Sequence, residues 1–251
     1  ASRHPGVGSG VAGELLAAGF NVVAHCGRRD RNPWLEVQAA ESGRMLIQVR
    51  KDFSEATAMP EFVGEIEQAL AAKGVDLQGF TFDVVVHVAG VTAWDGRAME
   101  ADFQDIEALM HINAWSALTL TQELWRKERI THPGGLLVFI GSNNWYNVYS
   151  GVMGYAVTKA AVERIAAHFA VDLAPYGVQV VHTVLGWVDC ERHHIAKEKG
   201  QYDYESATAV LPTGKPVAAW ECGGEVLGLL LTPSKIGNGS RLDAGEHLLG
   251  H

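Results

Sequence analysis

LLVFIGSNNWYNVYSGVMGYAVTKAAVERIAAHFAVDLA, residues 136–174, is the stretch on which the rest of the chain is organised. Residues 136–140 form a short apolar run of the kind that makes a buried strand. Ser142 follows just past its end, and Tyr155 and Lys159 open an alanine-rich helical pattern at spacing i, i+4. On a helix that spacing sets both side chains on one face, one turn apart. A tyrosine hydroxyl titrates near ~10 and is a poor base at neutral pH. An ammonium one turn away favours the phenolate and lowers that value. With a serine hydroxyl to hold a carbonyl or alcohol oxygen, the three make a proton-transfer device for carbonyl/alcohol interconversion. A Tyr-x-x-x-Lys pair alone arises by chance on many helices, so the reading needs support from the remaining sequence.

The chain of 251 residues, 47% hydrophobic and 20% charged, is long enough for one sizeable α/β domain spanning 1–251. A net charge of −9 argues against nucleic acid or an anionic membrane as partner, while leaving room for a local basic pocket. Cys26, Cys190 and Cys222 are odd in number and widely spaced, which argues against a disulfide framework or a zinc site and fits a reducing, cytoplasmic compartment. No apolar run approaches the roughly 18 residues of a membrane span, and no signal peptide is visible. The histidines, including His193, His194, His247 and His251, show no metal-ligand spacing, so no metal is expected.

Outward from the central stretch, a glycine-rich turn leads into a helix ending at Gly19. Strands are expected over 21–26, 44–49, 82–88 and 178–184, with an amphipathic helix over 60–73 and a long helix over 102–127. A last helix over 222–231 and a closing strand within 241–249 complete a single-domain, Rossmann-like, doubly wound α/β fold with a mostly parallel sheet. Residues 191–215 are polar and without clear periodicity.

These features resemble the short-chain dehydrogenase/reductase family over nearly the whole chain. Ser142, 13 residues ahead of Tyr155, and Lys159, 4 residues after it, match the family's active-site spacing. Asn113 matches its fourth catalytic residue, whose backbone holds a water that passes protons to the lysine. The family's G-x-x-x-G-x-G falls on Ser2, Gly6 and Gly8, with Val7 between the last two and Ser2 replacing the first glycine. Gly10 and Gly13 offer a second register. Asp52-Phe53 matches the pair that contacts adenine. Ala89 and Gly90 are kept from Asn-Asn-Ala-Gly, with His87-Val88 replacing the asparagines. Gly186 and Val188 lie in the counterpart of Pro-Gly-x-x-x-Thr, where Leu185 and Cys190 replace proline and threonine. Asp243-Ala244-Gly245 resembles the closing Asp-Gly-Gly. The family's first strand, which should precede the glycine-rich turn, is missing from the residues ahead of it. That implies either a short N-terminal piece not contained in this sequence or a sheet completed differently.

The resemblance implies a nicotinamide cofactor, a lid over 191–215, and a homotetramer or homodimer. NAD-preferring relatives place an acidic residue where this chain has Cys26-Gly27-Arg28-Arg29. Two guanidiniums there can hold a 2′-phosphate, so NADP(H) is expected over NAD(H). Otherwise Arg28 and Arg29 are solvated, with Asp30 as partner. Lys159 also bonds the nicotinamide ribose. Ser142, Tyr149, Tyr155 and Trp187 are expected against a small carbonyl or alcohol substrate, with Trp94, Trp145 and Tyr146 nearby. An NAD-dependent alcohol or dihydrodiol dehydrogenase, and a non-catalytic nucleotide-binding scaffold, are the rival readings.

Overall fold

In the computed structural model of the protein, residues 6–28, 31–54, 58–92, 97–143, 148, 150–198, 200, 205, 208, 214–231, 237–239 and 241–243 are described. Ser2, Arg29, Asp30, Trp94, Trp145, Tyr146, Tyr149, Ala244 and Gly245 lie outside them, as does much of the expected lid.

Helix α1 (Val7–Ala17) starts at Gly6, whose extended backbone turns its carbonyl toward the Ser9 and Gly10 amides at 3.0 and 3.1 Å. It ends at Ala18, and Gly19 at φ +96° turns the chain, a conformation that a side chain would strain. Strand β1 (Val22–His25) and strand β2 (Leu46–Val49) follow the expected positions and pair in parallel. Between them lies α2 (Pro33–Ser42), which the apolar pattern does not reveal, because it buries only Leu35 and Ala39. Its signal is in the caps. The Asn32 side chain accepts the Trp34 amide, Pro33 opens the helix, and Gly43 closes it in the left-handed region.

Helix α3 (Ala58–Ala72) leads to β3 (Val84–His87). The long helix expected next is present but not uniform. Helix α4 (Phe103–Met110) and helix α5 (Ser116–Arg126) are joined by a π-helical turn, His111–Trp115. The turn moves the Ser116 amide onto the His111 carbonyl, and the Ser116 hydroxyl donates to the Ile112 carbonyl at 2.6 Å. Strand β4 (Leu136–Ile140), helix α6 (Met153–Leu173) and strand β5 (Gln179–Val184) match the sequence reading closely. The short strands β6 (Val188–Asp189) and β7 (Val217–Ala218) pair in parallel around helix α7 (Glu191–Glu198). Helix α8 (Ala219–Leu231) and strand β8 (Arg241–Asp243) complete the chain.

All named strand pairs are parallel, in the order β3-β4-β5-β8 and, separately, β1-β2. The expected single sheet therefore comes in two pieces among the described residues. They share cores: Val22 and Leu136, Val138 and Ile140 pack with α1 and α8. Alternation along β4 sends Leu137 and Phe139 to the opposite face, against α5 and α6. Every residue of β4 is buried, as a strand covered on both faces must be. A third cluster joins Ile47 and Val49 to Phe62, Ile66 and Leu70 of α3.

The α1–α8 contact depends on missing side chains. A Cβ on Gly10 would lie 2.0 Å from the Ala219 carbonyl oxygen, and one on Gly223 would lie 2.6 Å from the Gly10 carbonyl oxygen. A Cβ on Gly13 would meet the Trp34 ring at 2.4 Å. Gly10 and Gly13 are thus packing glycines, while Gly6 opens the helix. Gly10→Ala is expected to lower Tm by about 5 °C or more. Gly64→Ala, inside α3 with nothing within 4 Å, should be neutral or raise stability by roughly 0.5–1 kcal/mol. Thermal melts of the two variants beside the parent check both.

Candidate active site

Strand β4 carries the chain to Gly141 and Ser142, at the carboxyl end of the sheet. Gly141 is buried, and a Cβ there would lie 2.3 Å from His182 Nε2 on the neighbouring β5. Only glycine lets the strand end pass the imidazole and deliver half-buried Ser142 beyond it. Helix α6 presents Tyr155 and Lys159 one turn apart, with the Lys159 ammonium 5.8 Å from the centre of the Tyr155 ring. Lys159 is only 4% exposed and donates to the Ile140 carbonyl at 2.9 Å, two residues before Ser142. Burial pushes its pKa down from 10.5 to about 8.

Asn113 enters from the π-helical turn and is buried. Its Oδ1 accepts the Val91 amide at 2.8 Å; its Nδ2 donates to the Val91 carbonyl at 2.8 Å and to Thr158 Oγ1 at 2.9 Å. Gly90 borders both catalytic candidates: a Cβ there would sit 3.5 Å from Asn113 Oδ1 and 3.6 Å from Lys159 Nζ. The fold thus gathers Asn113, Tyr155 and Lys159 around the end of β3, with Ser142 following β4.

The candidate cofactor residues line the same sheet end. Gly6 and Gly8 have room, since a Cβ on Gly6 meets nothing within 4 Å and one on Gly8 meets only Val88, at 3.7 Å. First-turn amides of a helix have no intrahelical acceptor, so the start of α1, including Val7 and Gly8, suits a pyrophosphate. The Val188 side chain is in the core, and its strand pairs with β7. Phe53 is buried and stacked on His25, ring centres 3.7 Å apart. Ala89 packs at the edge of the α3 core. Trp187, after Gly186, is half-buried, and its carbonyl accepts the Val217 amide at 2.8 Å. At the base of the expected lid His194 Nε2 meets Asp189 Oδ1 at 2.6 Å. These residues fit a nicotinamide dinucleotide: open glycines at a helix start, a buried amine, and a glycine after β5.

One expectation changes. Arg28 does not stand clear of carboxylates: its Nε donates to Asp52 Oδ2 at 2.6 Å, and its guanidinium reaches Ser54 Oγ at 3.1 Å. The strand end has no acid in sequence, but β2 delivers one in space. The Ser54 amide, more than Arg28, holds the Asp52 carboxyl below its usual range. Arg31 and Arg50 act electrostatically on Cys26, and Arg50 donates to the Arg28 carbonyl at 3.1 Å, so the β1 end is richer in guanidinium than the sequence reading held.

Sequence reasoning also missed His182, Thr158 and Val91. Thr158 adjoins Lys159, but nothing in the sequence ties it to Asn113, 45 positions away. His87, where relatives carry asparagine, meets Thr121 Oγ1 through Nε2 at 2.9 Å and lies against Phe139, tying β3 to α5. Burial holds His87 neutral by pushing its pKa down to about 3. Cys190 has no described metal cluster around it, and burial pushes the Cys222 thiol up to about 12. A cavity of about 200 Å³ is lined by Phe53, Met59, His111, Trp115, Ser116, Leu118 and Thr119 and includes none of the catalytic candidates. Among the described residues, no helix is long and apolar enough to cross a membrane.

A family model for short chain dehydrogenase matches residues 3–200, and the chain belongs to that family, whose members are NAD(P)-dependent oxidoreductases acting on CH–OH groups or carbonyls. It is 26% identical over 183 residues to the short-chain dehydrogenase RED1 of Pyricularia oryzae, covering 73% of this chain and 59% of that protein. A 3-oxoacyl-[acyl-carrier protein] reductase of Brucella melitensis in complex with NAD superposes with a TM-score of 0.81 at 19% identity, covering 99% of this chain and 95% of that one. The landomycin C-6 ketoreductase LanV, with bound NADP and rabelomycin, superposes with a TM-score of 0.80 at 21% identity, covering 98% of this chain and 93% of that one. These likenesses establish a Rossmann-like α/β fold.

Lys159 gives the site a stability signature. Its folded pKa lies below its unfolded value, so the unfolded chain binds more protons between about pH 8 and 10.5 and stability rises with pH across that window. Below pH 8 the buried charge costs on the order of 3 kcal/mol. Lys159→Met is expected to raise Tm at neutral pH and to lose that advantage above pH 10. Denaturation of both proteins across pH 6–10.5 checks it; a variant less stable than the parent at pH 7 contradicts it.

Proposed function

We propose that the chain is an NADP(H)-dependent oxidoreductase that interconverts a carbonyl and a secondary alcohol, with Tyr155 as general acid and base. The observation that carries the reading is the buried Lys159 ammonium one helical turn from Tyr155, bordered by Gly90 and Asn113. A cation so close to a phenol favours the phenolate. When bound, the nicotinamide supplies or accepts the hydride. Ser142 holds the substrate oxygen, Tyr155 gives it a proton or takes one, and Lys159 lowers the proton affinity of the tyrosine and bonds the nicotinamide ribose. Asn113 holds the water through which the relay meets solvent.

Support for NADP(H) comes from Arg28, Arg31 and Arg50 around the end of β1, with Arg29 adjacent in sequence. A 2′-phosphate would take Arg28 from Asp52, freeing that carboxylate for the adenine amino group. The second reading, NAD(H) with a secondary alcohol or dihydrodiol, is favoured by the Asp52 carboxylate already at Arg28. Trp187, with Tyr149 seven residues after Ser142 in the sequence, supports an apolar substrate. Phe103, Trp115 and Val157, exposed by 74%, 40% and 48% on α4, the π-helical turn and α6, support self-association as a homodimer or homotetramer. A cytoplasmic setting fits the cysteine usage.

The test is cofactor turnover over a panel of ketones with NADPH and NADH in parallel, and of secondary alcohols with NADP⁺ and NAD⁺ in parallel. The parent is expected to turn over, and Tyr155→Phe to lose about 100-fold or more in kcat. Absence of turnover across the panel, or a Tyr155→Phe protein as active as the parent, overturns the reading. For cofactor choice, Arg28→Ala should cut the NADPH preference by roughly tenfold, and Asp52→Asn should raise it. A preference untouched by Arg28→Ala favours the NAD reading.

A further inference from the structure

Thr158 is completely buried at the centre of the site. A threonine hydroxyl has one hydrogen and two lone pairs. The hydrogen goes to the Tyr155 carbonyl, 2.7 Å away and one turn back on α6. The oxygen can then only accept from Asn113 Nδ2, at 2.9 Å. Asn113 Oδ1 is occupied by the Val91 amide, and the second Nδ2 hydrogen by the Val91 carbonyl. Rotating the amide by half a turn would set its NH₂ against the Val91 N–H, so the hydrogen-bond directions allow one orientation. Three segments that are far apart in sequence, the loop after β3, the π-helical turn and the N-terminal part of α6, meet at this amide and this hydroxyl.

We infer that Thr158 is a positioning residue: its hydroxyl locks the Asn113 side chain to the turn of α6 that carries Tyr155 and Lys159, and so fixes the register between the proton relay and the catalytic pair. The inference rests on the carbonyl–alcohol reading above for its effect on turnover, but not for the bond itself. Thr158→Val keeps the shape, removes both hydrogen bonds and leaves an Asn113 N–H buried without its acceptor, an arrangement that carries the full desolvation penalty. Asn113 is then held only through Val91, and its backbone can shift relative to Lys159.

The experiment compares the parent with Thr158→Val, Thr158→Ala and Thr158→Ser. It reads kcat against pH, KM for the cofactor, Tm, and hydrogen exchange of the Asn113 side-chain amide by NMR. Thr158→Val is expected to lower kcat about tenfold or more and to move the pH midpoint by ~0.5 unit or more, with cofactor KM within about twofold. Its Asn113 amide protons should exchange at least about tenfold faster. Thr158→Ser, which keeps the hydroxyl, should restore all three readouts to near the parent values. Thr158→Ala makes the same comparison where the valine protein does not fold. The proposal is overturned if Tm falls while kcat, pH midpoint and amide exchange stay at parent values, or if the serine variant does not restore them. A parent inactive on every carbonyl and alcohol removes the proposed function instead, and amide exchange then decides the Thr158–Asn113 bond alone.

Discussion

A lysine ammonium held almost entirely out of water is the constraint around which this site is built. Removing a cation from solvent is costly unless hydrogen bonds replace the water. The Ile140 carbonyl supplies one such bond, at the point where β4 ends. This explains why small residues cluster there. Gly90 leaves room beside the amine, and Gly141 lets the strand pass His182 on its way to Ser142. A side chain at Gly141 would collide with His182, whereas a Cβ at Gly90 would only reach contact distance of the ammonium. The same burial pushes the lysine pKa down to about 8.

The two halves of the site are made by different means. Around the candidate catalytic residues, Asn113, Val91 and Thr158 satisfy one another, and α6 continues from Tyr155 into the core through Val162, Ala166 and Ala170. The candidate nucleotide side relies on absence. Gly10 and Gly223 bring α1 and α8 into backbone contact, which places the start of α1 at the sheet end with its amides available. At its outer edge the β1 end is a balance of charges, with Arg28 drawn to Asp52 while Arg31 and Arg50 lie around Cys26. Such a pair is exposed and screened by solvent, so a phosphate can compete for it.

The departures from the family pattern have local explanations. His87 stands where relatives have asparagine, and its imidazole bonds Thr121 and lies on Phe139, so a different side chain still ties the central strand to α5. Leu185, in place of proline, is a core residue packed with Val181 and Val188. The π-helical turn at His111–Trp115 breaks the regular helix at the point where Asn113 has to face inward, with the Ser116 hydroxyl capping the displaced Ile112 carbonyl.

Local order was legible in the sequence because it is written in short-range patterns. The continuous apolar run of β4, the i, i+4 pair on α6 and the glycines around α1 each depend on neighbours a few residues away, and the observed elements follow them. Helix α2 was written there too, in Asn32, Pro33 and Gly43, although its thin apolar face hid it. The sequence by itself determined the α/β alternation and the parallel strands, and it singled out Ser142, Tyr155 and Lys159 as candidates. Only the tertiary structure decided that Asp52 meets Arg28, that Gly10 serves packing, that His182 requires Gly141, and that Thr158 holds Asn113. Those are contacts between residues 24 to 213 positions apart, fixed by hydrogen-bond direction and van der Waals distance, and no periodicity along the chain records them.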